Sequence, residues 1–90
     1  MAKSAAFNKK GVDKLASDKP VVYRIETEGG KTNYIGSSGR GNIHDRLNDH
    51  LGKIPGATVR IQQFDTVQQA RETEARAIKR TQPKYNDLGK

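Results

Sequence analysis

Ninety residues allow one domain at most and a limited core, so modest stability is expected. Seventeen lysines and arginines against ten acids give a net charge of +7 and a pI near 9.9, which favours a polyanionic partner. The absence of cysteine excludes disulfides and thiolate metal sites, and no apolar run approaches membrane-spanning length.

The first 19 residues carry Lys3, Lys9, Lys10, Lys14 and Lys19, offset in part by Asp13 and Asp18. They read as a basic, partly flexible arm with one short helical turn near Val12–Ala16. No continuous apolar stretch resembling a secretory signal opens the chain, so a cytoplasmic location is the default expectation. Pro20 starts a run from Val21 to Thr27 rich in β-branched and aromatic residues, which predicts a strand. Glu28-Gly29-Gly30-Lys31 is a turn signal, and Thr32–Ser37 predicts a second strand, making an antiparallel hairpin. Ser37–Gly41 reads as a loop. Asn42 is a candidate N-cap for a helix to Leu51 or Gly52, with Ile43, Leu47, Leu51 and Ile54 at helical spacing. After a Pro55-Gly56 turn, Thr58–Phe64 predicts a third strand. Asp65 or Thr66 then caps a helix to about Thr81, and Pro83 closes it. The expected fold is α+β in layers, a small three-stranded antiparallel sheet flanked by helices in the order β-β-α-β-α. The folded domain would span residues 20–88.

Polar residues in apolar places point to the chemistry. In the last helix Val67, Ala70, Ala77 and Ile78 share a face, and Glu74 projects from the middle of that stripe. An inward carboxylate costs several kcal/mol unless it meets a cation, either a buried arginine or a metal ion. In the preceding helix His50 falls among Ile43, Leu47 and Ile54, and Arg46 lies one turn before it on the flank of that face. A lone inward histidine is more often a satisfied core residue than a catalyst. The neighbouring arginine, suited to a crowded phosphate, adds weight to a chemical role. Tyr23 and Tyr34 occupy opposite arms of the hairpin, and each alone reads as a packing residue with its hydroxyl at the rim. Together, the two tyrosines, Arg46, His50 and Glu74 are residue types that hold a phosphodiester and one hard cation.

The glycine-rich Gly36–Gly41 segment has neither dinucleotide-fingerprint nor Walker spacing, and Ser37 and Ser38 lack an adjacent base. The segment remains able to offer backbone amides to a phosphate, although a flexible connection is the simpler reading. His44 and His50, six residues apart, do not have the spacing of a zinc pair on one helix face.

In order, Val21-Val22-Tyr23, Tyr34-Ile35-Gly36, Asn42–Leu47 with Arg46, His50, Glu74, and Pro83 followed by Asn86 resemble the motifs of the GIY-YIG endonuclease superfamily. The resemblance runs from about Val21 to Asn86. It departs from the family at Val21, where the first triplet has glycine, and in a loop after Gly36 about two residues longer than in the excision-repair branch. The resemblance implies DNA cleavage with one divalent cation, Mg²⁺ or Mn²⁺. Glu74 would hold the metal, Arg46 the scissile phosphate, and Tyr34 the water or phosphate. Either Tyr23 or His50 would act as general base, a choice the sequence leaves open. Gly36 and Asn86 would be structural neighbours of the site, and Arg40 with Arg46 would touch nucleic acid.

Two other readings stand beside the nuclease: a nucleic-acid-binding module that does not cut, and a nuclease subunit that needs a partner protein or dimerisation for specificity. DNA repair and recombination are among the processes open to such a domain.

Overall fold

The computed structural model describes residues 3–89, with side-chain surroundings for residues 3–86. Four antiparallel strands, β1 (Ser4–Ala6), β2 (Val21–Glu26), β3 (Thr32–Ser38) and β4 (Thr58–Gln63), lie in the order β1-β4-β2-β3. Three α-helices accompany them, α1 (Lys9–Asp13), α2 (Ile43–His50) and α3 (Val67–Thr81), and a 3₁₀ segment follows at Lys84–Gly89.

Alternation along β2 divides the molecule into layers. Val21, Tyr23 and Ile25 point to one face, where they pack with Val12, Leu15, Ile43 and Leu47 from the α1–α2 side. Val22 points to the other face and packs with Ile35 of β3 and with Ala70 and Ala77 of α3. The α+β class and the helix-flanked antiparallel sheet agree with the sequence reading.

The strand count does not. Three strands were expected, and the fourth is β1, from the stretch read as a partly flexible arm. Ser4, Ala5 and Ala6 pair with Arg60, Val59 and Thr58, and Phe7, Val12, Leu15 and Ala16 are buried. Three residues of small side chain are too short to display a period of two, and the surrounding lysines mask the apolar positions between them. The helix here also starts earlier than expected. Asn8 caps α1 by accepting from the Gly11 amide at 2.8 Å, ahead of the predicted turn at Val12–Ala16.

Local chemistry sets the remaining elements. The β2–β3 turn closes through Thr27 N–H to Lys31 O and Gly30 N–H to Thr27 O, both 2.9 Å, with Gly30 at φ +87° where a side chain would be strained. Thr66 caps α3 by accepting from the Gln69 amide at 3.1 Å, which selects it over Asp65. The helix ends at left-handed Gln82, whose N–H reaches Ile78 O, and Pro83 follows. Asn42 makes no side-chain capping bond to α2, because its backbone is already helical rather than extended. No helix among the described residues is long and apolar enough to cross a membrane.

Candidate active site

Strand β3 is the element on which the polar residues converge. Its Tyr34 and Gly36 alternate onto the α2 face, while Ile35 and Ser37 turn toward α3. Gly36 stands opposite Tyr23 in the β2–β3 ladder. A Cβ at Gly36 would run into the Tyr23 phenol oxygen and its ring. Glycine is therefore what lets the phenol lie across the neighbouring strand.

On this face Tyr23 is 0% exposed, and its hydroxyl shares a 2.9 Å hydrogen bond with His50 Nε2. The Tyr23 and Tyr34 rings stack with centroids 6.1 Å apart, and the His50 ring sits 5.8 Å from Tyr23 and 4.8 Å from Tyr34. His50 reaches this position as the last residue of α2, whose Ile43 and Leu47 are anchored in the core. Burial raises the Tyr23 phenol well above its ordinary value, and Tyr34 adds to the rise, while the Arg46 guanidinium opposes part of it. Burial, then the positive charge of Arg46, lowers His50 below its ordinary value of 6.5. Both groups are accordingly neutral near pH 7. The Tyr23 hydroxyl can donate to His50 Nε2 when the imidazole carries its proton on Nδ1.

On the other face Glu74 is half-buried, and its Oε1 accepts a 2.7 Å hydrogen bond from the Ser37 hydroxyl. Among the described residues no lysine or arginine forms an ion pair with Glu74. The buried-arginine explanation of this inward carboxylate thus finds no partner, and a cation remains the natural counter-charge. Among the described residues no group of three or more His, Cys, Asp or Glu gathers to form an all-protein cage. A single carboxylate suits Mg²⁺, which keeps several waters and takes only one or two protein carboxylates.

Ser37 links the two faces. Its hydroxyl holds Glu74, and its carbonyl accepts a long 3.4 Å hydrogen bond from the exposed Arg46 guanidinium. The residues singled out by sequence thus fall in two groups: Tyr23, Tyr34 and His50 touch one another, Arg46 and Glu74 each bond Ser37, and the charge of Arg46 bears on both Tyr23 and His50. Ser37 is set aside in the sequence as a nucleophile for want of an adjacent base, and its part here is a different one, holding Glu74 and Arg46. The strand in fact runs to Ser38, and the alternation Ile35, Ser37 was the available signal.

Asn86 braces the edge of β3 from both sides: its Oδ1 accepts from Ile35 N–H at 2.9 Å and its Nδ2 donates to Ile35 O at 2.7 Å. Arg40 is exposed in the β3–α2 loop and makes no hydrogen bond or ion pair among the described residues. His44 faces away, against the Leu15 carbonyl at 2.8 Å.

The family model of the GIY-YIG catalytic domain matches residues 19–86. The chain belongs to the GIY-YIG family. Among solved structures, the GIY-YIG N-terminal endonuclease domain of UvrC from Thermotoga maritima, bound to its catalytic magnesium, superposes with a TM-score of 0.69. It shares 26% identity over 87% of this chain and 93% of that one. A point mutant of that domain, bound to its catalytic divalent cation, gives a TM-score of 0.67, 26% identity, and coverage of 87% and 92%. No curated protein matches the chain. The GIY-YIG match embraces every residue joined in the site, from Tyr23 to Asn86, and leaves out β1 and α1.

Proposed function

We propose that the chain is a divalent-cation-dependent endonuclease that hydrolyses phosphodiester bonds in DNA. The observation that carries this reading is the 2.9 Å hydrogen bond between Tyr23 and His50, two neutral groups under the charge of Arg46, which shares Ser37 with a half-buried carboxylate that has no ion-pair partner among the described residues. Membership of the GIY-YIG family and likeness to a magnesium-bound endonuclease domain support it.

Arg46 binds a non-bridging oxygen of the scissile phosphate and neutralises the charge that grows there. Tyr34, half-exposed beside Tyr23, orients the attacking water. A buried phenol above its ordinary pKa is a poor base alone. It becomes a good relay once substrate binding brings a water to its oxygen: the water proton then passes to the Tyr23 oxygen as the Tyr23 proton passes to His50 Nε2. The hydroxide forms the new P–O bond, the opposite P–O bond breaks, and the imidazolium holds the proton until the leaving oxygen or solvent takes it. His50 is thus the terminal base and Tyr23 its intermediary. Glu74, with Ser37 fixing one of its oxygens, would hold Mg²⁺ or Mn²⁺. When bound, such a cation offsets charge on the phosphate and leaving oxygens.

The test is cleavage of supercoiled, nicked, flap and branched DNA by the purified chain with Mg²⁺, Mn²⁺ or a chelator. Cutting should require the metal and fall about a thousandfold in Glu74→Ala, the scale of losing a principal electrostatic stabiliser. Equal cutting by Glu74→Ala, or none on any substrate, would sink the proposal.

A further inference from the structure

Four arginines converge on the α3 side of the sheet, away from the tyrosine–histidine pair. Arg24 of β2 and Arg60 of β4 stand directly opposite one another in the ladder and point to the same face. Helix α3 lies chiefly over β3 and β2, so the β4 flank of this face is open. There Arg24, Thr73, Arg76, Arg80 and Thr81 line a depression of about 370 Å³. A second depression, of about 170 Å³, meets it at Arg24 and includes Arg60.

This arrangement works against stability. Like charges directly opposite on paired strands repel, as do like charges four residues apart on a helix, and the groove has one of each. Ordinary structural roles cover only part of it. Arg60 pairs with Glu26 at 3.0 Å, and Arg80 in the last turn of α3 suits the helix dipole. Arg24 is half-buried in mid-strand and has no acidic partner among the described residues. Arg76 is in mid-helix, and its bond is a 3.4 Å contact to Thr73, while Glu72 one turn earlier is engaged by Gln68. Beyond Thr73 and Arg76 the surface turns toward Asp65 and Glu72, so the basic stretch is bounded rather than diffuse. Guanidinium forks beside threonine hydroxyls in an open groove match the non-bridging oxygens of a phosphodiester backbone.

We propose that this groove is a second nucleic-acid site, which grips the phosphate backbone away from the point of cleavage. It rests on the reading of DNA as substrate, but it needs neither metal nor cutting. Backbone contacts of this kind position a duplex without reading its sequence.

The experiment is fluorescence-anisotropy binding of a labelled duplex by the full chain in chelator, across a salt series. The variants are Arg76→Ala/Arg80→Ala and, separately, Arg24→Gln, with Lys9→Ala/Lys10→Ala on α1 as a control of equal charge loss, and circular dichroism confirms folding. The groove double variant should bind about tenfold more weakly, with a salt slope flatter by up to about 1.8, the scale for two phosphate contacts, whereas the control changes less. Arg24→Gln should flatten the slope by about half that amount. An unchanged slope in the groove variants, or an equal change in the control, overturns the groove while leaving the nuclease reading intact. A slope change in a chain that cuts nothing supports the groove and counts against the nuclease. Failure of the wild-type chain to bind any duplex overturns both.

Discussion

The two faces of the sheet hold the site in different ways. On the α2 face the Tyr23 phenol is buried, stacked on Tyr34 and bonded to His50, and its position follows from the core around it. On the α3 face the Glu74 carboxylate is only half-buried and held by one serine hydroxyl, and the same serine's carbonyl is met from α2 by the exposed Arg46 guanidinium. Groups that move a proton gain from being fixed before substrate arrives, because alignment then costs nothing at the moment of reaction. Groups that receive a hydrated cation and a charged backbone must stay reachable by water.

The largest effects should come from breaking one face at a time. Arg46→Ala removes an exposed guanidinium whose one hydrogen bond among the described residues is long, so its melting temperature should be nearly unchanged while cleavage falls about a thousandfold. Tyr23→Phe keeps the ring in the core but removes the relay. Cleavage should fall about a hundredfold, and the lost hydrogen bond should cost about 1 kcal/mol of stability. Cleavage rates beside thermal melts separate the cases. If Tyr23→Phe lowers stability but leaves the rate intact, the buried face is only packing.

The same contrast explains what could be read from sequence. The helical spacing of Ile43 and Leu47 placed His50 inward, and the stripe from Ala70 to Ala77 placed Glu74 toward the sheet, because burial leaves a periodic imprint. Val67, assigned to that stripe, is instead 40% exposed, since it lies in the first turn of α3 beyond the sheet's cover. β1 stayed hidden because its pairing with β4 is long-range and its side chains are small. Ser37, weighed in the sequence only as a nucleophile, works instead through both its hydroxyl and its carbonyl, and a carbonyl's partner leaves no mark on residue type. The arginine convergence was equally invisible, since Arg24, Arg60, Arg76 and Arg80 come from three separate elements.

Strand β3 serves both faces, so loosening it should blur the contrast between them. Asn86→Ala removes both side-chain bonds to Ile35, between Tyr34 and Gly36 on one face and beside Ser37 on the other. The expected cost is about 2 kcal/mol, or roughly 10 °C in melting temperature for a domain of this size. Cleavage should drop less than in Tyr23→Phe, because no group that touches substrate is lost. A melt indistinguishable from the wild type would show that the edge of β3 needs no brace.

The smallest effects bear on which group ends the proton relay. His50 must be neutral to accept a proton, and burial with the charge of Arg46 holds it below 6.5. Its neutral form therefore persists as pH falls past 6.5, and kcat/KM should decline only at lower pH, where the imidazole takes up a proton. Two exposed neighbours should move that acid limb in opposite directions. Lys53 contributes to the lowering, so Lys53→Ala should shift the limb upward; Asp49 opposes it, so Asp49→Asn should shift the limb downward. Titration of the His50 ring by NMR should move in parallel with each rate profile. If the two substitutions leave the limb in place while the ring titration moves, His50 is not the terminal base, and the acceptor must be sought on the exposed face beside Glu74.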